Sequence, residues 1–176
     1  MMRGFRLVVR SLLPIALIAL PASAQDVDPM AENADTAYYD FWVGTWLEQK
    51  EGVVDTSGSR FTIVPSVHPA AFEERWRLVL DDGTELYSTA LRAWDKTTGR
   101  WMYTWVSDNG LFQVWEGRKD RHGWWIYRHF DVEGDRYLSR QGFLPQTDGS
   151  VLRISQKSYD EGRTWELRFQ QRLVRQ

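Results

Sequence analysis

The 176-residue chain contains no cysteine. That absence excludes disulfides, thiol nucleophiles, thiolate-held metals and lipid attachment to a processed N-terminal cysteine. Histidine is scarce: the three present, at 68, 122 and 129, have no spacing that lets two of them share a zinc ion. Charge of one sign is also lacking, since 22 Lys and Arg stand against 24 Asp and Glu. A chain so balanced has no electrostatic footprint for nucleic acid or anionic lipid. There is no Gly-x-Ser-x-Gly, phosphate loop or dinucleotide fingerprint. After residue 44 no segment carries a helical period, which argues against α/β folds.

The one long apolar stretch lies at the N-terminus. Arg3, Arg6 and Arg10 precede an apolar run from Leu12 to Leu20, and Ala22-Ser23-Ala24 forms a small-residue cleavage site. This is the layout of a secretory signal peptide over residues 1–24. The run is shorter than the roughly 20 residues needed to span a bilayer and is broken by Pro14, so no stable membrane span is expected after cleavage. The expected location is periplasmic or secreted. Residues 25–33 read as a flexible leader, and 34–176 as a single domain.

Aromatic residues are plentiful. All 10 Trp follow the signal, and a buried Trp removes roughly 150–250 Å² from water, so the chain has material for a core without disulfides. A short helical turn is expected within 34–43. Thereafter Gly-centred turns recur, the strongest being Asp82-Gly83, Asn109-Gly110 and Asp148-Gly149, pairs that accept the positive φ of tight hairpins. The spacing predicts strands near 44–51, 59–67, 72–80, 84–94, 101–107, 111–119, 124–132, 136–144, 150–158 and 164–174. A meander of eight to ten strands either keeps two open edges or closes, and closure is favoured because it removes them. The expected fold is an all-β, closed up-and-down antiparallel barrel.

Alternation places Trp101, Tyr103 and Trp105 on one face, and Trp165, Leu167, Phe169 and Leu173 on another. Four charged residues fall within apolar sets. Glu74 lies with Phe72, Trp76 and Leu78, and Arg92 with Leu86, Ala90 and Trp94. Arg128 lies with Trp124, Ile126 and Phe130, and Arg140 with Leu138 and Leu144. An unpaired buried charge costs several kcal/mol, so these residues need an account. One account is an aromatic-walled cavity in which Trp76, Arg92, Trp101, Tyr103, Trp105, Arg128 and Arg140 contact a ligand with a polar or anionic end. In the other they sit near strand ends and reach water.

The entry Gly44-Thr45-Trp46, with a basic residue late in the last strand, Arg172 or Arg168, resembles the calycin or lipocalin-like superfamily of barrels. The phrases from Arg92 to Trp101 and from Ser158 to Trp165 also resemble hairpins of small secreted bacterial lipocalin-like proteins. The resemblance implies that Trp46 closes the barrel floor and that the arginine packs across it by cation–π contact. Gly44, Trp46 and Arg172 are then structural.

Two functional classes follow, with a plainer third. The first is a binding protein for a small hydrophobic or amphipathic molecule. The second is a cavity enzyme of isomerase or cyclase type, with Glu74 as general acid or base and Arg92 or Arg140 holding a carbonyl or carboxylate. The third is a filled barrel acting through its surface. An open cavity without close polar pairs favours the first; a deep cavity with Glu74 hydrogen-bonded to a cation favours the second. A single imidazole can ligate haem iron in such a barrel, and His129 is the histidine placed to do so. No second feature supports haem, so no cofactor or metal is expected.

Overall fold

A computed structural model describes residues 39–120 and 123–176. The expected signal peptide at 1–24, the leader at 25–33 and His122 lie outside the described residues. Within the segment expected to turn helically, Asp40–Trp42 forms a 3-10 turn that buries Trp42.

Strands β1 to β11 follow: Gly44–Lys50, Val53–Val54, Arg60–Pro65, Ala71–Val79, Glu85–Asp95, Arg100–Ser107, Phe112–Asp120, Gly123–Val132, Asp135–Pro145, Val151–Ser158 and Glu166–Arg175. The two-residue β2 pairs only with the end of β1. The other strands form a closed antiparallel barrel of 10. Closure comes from β1 against β11, with Trp46 opposite Arg175 and Glu48 opposite Leu173. The three turn glycines singled out in the sequence, Gly83, Gly110 and Gly149, take φ of +81°, +84° and +81°. Their lack of a Cβ lets the hairpins reverse in so few residues.

Because the strands run up and down, the chain entry, the β3–β4 and β5–β6 connections and the end of β11 gather at one end of the barrel. The β4–β5, β6–β7 and β8–β9 hairpins gather at the other. The first end is sealed. Tyr39, Trp42, Trp46, Phe72, Trp101 and Phe143 are buried there, with Trp46 stacked on Trp42 at 5.3 Å. The Trp46 indole N–H donates to the Trp42 carbonyl at 2.8 Å, which fixes the 3-10 turn as a plug.

Three face assignments differ from the sequence reading. Strand β9 points Ser139 and Phe143 inward, both fully buried, so Leu138, Arg140 and Leu144 face outward. A slip of one residue inverts a whole strand, and the leucines on that face are covered from outside rather than from the core. Gly162 and Trp165, from the β10–β11 hairpin, lie against this outer face. In β11 a bulge opposite Ser155 and Gln156 inserts Arg168, so Phe169 stays inside while Leu167 turns out and is exposed. His129, on β8, also faces outward, where it lies 3.0 Å from Glu161.

The basic partner of Trp46 is Arg175, not Arg172. The Arg175 guanidinium lies 4.5 Å over the Trp46 ring and donates to the carbonyls of Val43 and Phe41. Arg172 pairs with Asp148 on the surface. Gly44 has φ +138°, a backbone conformation that favours glycine, and a Cβ there would displace the Arg175 guanidinium.

Candidate functional site

The barrel interior divides into a packed floor and an open upper part. In the floor, β4 turns Glu74 inward between Phe72 and Trp76, and β5 brings Arg92 beside it. Their side chains are 0% and 1% exposed, and Arg92 Nε donates to Glu74 Oε1 at 2.8 Å. The same oxygen accepts from the Trp42 indole at 3.2 Å, and Oε2 accepts from the Trp76 indole at 2.9 Å. Three donors from three elements therefore hold one carboxylate, which offsets the cost of burying it. The Arg92 guanidinium lies among Tyr39, Phe143 and Tyr103, at 4.2, 4.5 and 4.7 Å from their ring centroids. Burial is the largest influence and opposes its charge, but the Glu74 charge and hydrogen bond, together with Tyr39 and Tyr103, outweigh it and raise its pKa above the ordinary arginine value. Burial, then the Glu74 charge, push the Tyr103 phenol well above its usual range.

Above this floor lies a cavity of about 380 Å³. Its wall is aromatic: Trp76, Tyr103, Trp105, Trp115, Phe130, Tyr137 and Phe169. Leu111 and Val132 border it and are exposed, which places the mouth at the β6–β7 and β8–β9 hairpins. Trp105 is held upright by a 2.8 Å hydrogen bond to Ser88, and Trp115 by one of 3.1 Å to Gln113.

The polar part of the cavity comes from β9, β10 and β11. Arg153 is 7% exposed and stacks against Trp76 at 4.6 Å and Phe169 at 4.7 Å. Its Nη1 donates to Gln171 at 2.7 Å and its Nη2 to Gln141 at 2.8 Å. No carboxylate forms an ion pair with it among the described residues. Burial lowers its pKa to about 10, with Tyr103, Glu74 and Glu48 offsetting only part of that effect. It therefore remains charged at neutral pH. Its Nε and the Ser155 hydroxyl, both buried, have no hydrogen-bond partner.

Of the residues expected to contact a ligand, Trp76, Tyr103 and Trp105 border the cavity. Trp101 and Arg92 are inside but belong to the packed floor. Glu74 is bonded to a cation, as the enzyme reading required, but it lies beneath Trp76 and does not border the cavity. Arg128 is on an inward position of β8, opposite Ser139, with its guanidinium 5.0 Å from the Phe130 ring. Arg140 is outside, clamped between Trp125 at 4.2 Å and Trp165 at 3.9 Å. The sequence reading did not single out Arg153, Ser155 or Gln141. The alternation Val151, Arg153, Ser155 was the available signal, but Leu152 and Ile154 between them look more like an inward set.

A larger depression of about 530 Å³ lies on the outer wall and includes Arg60, Thr62, Arg75 and Val106. No buried, unpartnered polar atom borders it among the described residues, so the interior cavity is the stronger candidate. No group of three or more His, Asp or Glu is placed to hold a metal ion, and no helix is long and apolar enough to cross a membrane, among the described residues. In comparison with known proteins, the chain matches no family model and no curated sequence.

Proposed function

We propose that the protein is an exported, lipocalin-like barrel that binds a small hydrophobic or amphipathic molecule in its upper cavity. The observation that carries this reading is the contrast between the two halves of the interior. Below Trp76 the aromatic rings interlock and every oxygen of Glu74 is occupied, while above it seven aromatic side chains surround about 380 Å³ of space. A barrel built only for stability would fill that space, because unfilled apolar volume is destabilising. Concave, largely apolar cavities with a few polar groups are where small ligands bind.

The catalytic reading has less support. Glu74 accepts three hydrogen bonds and is screened from the cavity by Trp76, so it has no path to a substrate proton. The export reading rests on the N-terminal sequence pattern. Native mass spectrometry of the protein purified from its own cells tests the binding reading, followed by extraction of any bound small molecule. The expected result is a mass increment that disappears on denaturation, or saturable quenching of tryptophan fluorescence by an apolar probe. The absence of both the increment and the quenching would count against a carrier.

A further inference from the structure

The polar corner of the cavity narrows the class of ligand, provided the cavity is a binding site at all. Arg153 and Ser155 stand two residues apart on β10 and so share its inward face. Each Nη group of Arg153 donates one N–H to an amide oxygen, Nη2 to Gln141 and Nη1 to Gln171, which fixes the guanidinium without neutralising it. The Nε and the Ser155 hydroxyl are left as buried donors bordering the same cavity. The carboxylates whose field reaches Arg153 are committed elsewhere. Glu74 serves Arg92 and two indoles, and Glu48 lies 4.0 Å from Lys50.

A buried cation held by neutral amides and aromatic rings, with a donor to spare, is poorly compensated by the protein alone. A matching anion would complete it. We propose that the cavity selects medium-sized monocarboxylic acids, whose carboxylate accepts from Arg153 Nε and Ser155 Oγ and whose apolar body lies against Trp105, Trp115 and Phe130. Two spare donors match the two oxygens of a carboxylate. A phosphate monoester brings a third oxygen and a second charge, a poorer match to one guanidinium edge and one hydroxyl. The volume of about 380 Å³ admits roughly a dozen groups of ~30 Å³ each, the size of an acid of about ten carbons.

The test is calorimetric titration of wild type, Arg153→Met and Ser155→Ala with decanoate, 1-decanol and decyl phosphate. Decanoate is expected to bind wild type at least about tenfold more tightly than either other probe. Arg153→Met is expected to erase that preference while leaving decanol affinity within about threefold, and Ser155→Ala to reduce it several-fold. Equal binding of decanoate and decanol by wild type, or a preference that survives Arg153→Met, would overturn the carboxylate assignment while leaving the cavity reading intact. Failure of all three probes to bind wild type would overturn both.

Discussion

Arg175 lies 4.5 Å over the ring of Trp46, its direct partner across the seam where the last strand meets the first. Its guanidinium also donates to the carbonyls of Phe41 and Val43, so one side chain ties the seam, the floor indole and the entry turn together. Arg172 has no such role, being held at the surface by Asp148.

The two arginines should therefore differ in what their loss does to stability. Arg175→Ala removes a cation–π contact and charge-assisted bonds to two carbonyls, and is expected to cost about 2 kcal/mol. Arg172→Ala removes an exposed pair and is expected to change stability by no more than about 0.5 kcal/mol. Thermal unfolding followed by circular dichroism distinguishes them. Similar melting temperatures for the two variants would show that the seam is not held as described.

Glu74→Gln keeps the shape of the floor but leaves Arg92 buried without its counter-charge. The expected loss is about 3–5 kcal/mol in urea unfolding. Replacing both, as Glu74→Gln with Arg92→Met, should recover much of that loss because the pair acts as a unit. In conditions where Glu74→Gln is folded, its affinity for a neutral cavity ligand should stay within about twofold of wild type, since Glu74 does not border the cavity. Additive losses in the double variant would contradict the pairing.

Gly117 packs its Cα against the floor. A Cβ there would stand 2.8 Å from the Trp101 Cβ and 3.2 Å from the Trp101 carbonyl oxygen, neither of which can swing away. Gly117→Ala is accordingly expected to destabilise by about 1–3 kcal/mol despite adding only a methyl group. A neutral or stabilising effect in denaturant titration would mean that β6 and β7 are further apart than described.

Acid should weaken the fold through depressed carboxylates. Hydrogen bonds from Arg77, then Tyr87, hold the Glu85 carboxyl down to about 2 from an ordinary 4.5. The unfolded chain takes up this proton first, so the stability contributed by ionised Glu85 is present above about pH 4.5 and lost as pH falls toward about 2. Asp160 is lowered in the same direction by its bonds from Thr164 and Ser158. The melting temperature should drop across this window, and less steeply in Glu85→Gln. Identical pH profiles for the two proteins would contradict the assignment.

How far the sequence carries the fold can be judged strand by strand. Each expected strand lies within two residues of an observed one, because Gly-centred turns mark the reversals and Pro65 and Pro69 mark the glycine-free β3–β4 connection; only the two-residue β2 was missed. Which face points inward was harder to read. It came out correctly for β4, where Phe72 and Trp76 alternate with Glu73, Arg75 and Arg77, for β5, and for β6, where Trp101, Tyr103 and Trp105 alternate with smaller residues. It failed on β9, where Leu138 on the outer face lies against the β10–β11 hairpin while the inward positions are Tyr137, Ser139 and Gln141. It failed midway along β11, where one inserted residue changes the parity. Arg153 escaped notice for the same reason, since polar residues facing a cavity read as a solvent face. The floor was legible because packing needs apolar residues there. The polar wall of the cavity was not, because its positions break that pattern.

The open upper cavity is the central claim, and filling it is the most direct test. Leu78 borders the cavity and is only partly buried, so Leu78→Trp can occupy the space without rebuilding the floor. Wild type titrated with N-phenyl-1-naphthylamine should give a saturable rise in fluorescence, and Leu78→Trp, with unchanged circular dichroism, should lose at least about tenfold in affinity. No saturable signal from wild type, or an identical curve from the filled variant, would contradict the account.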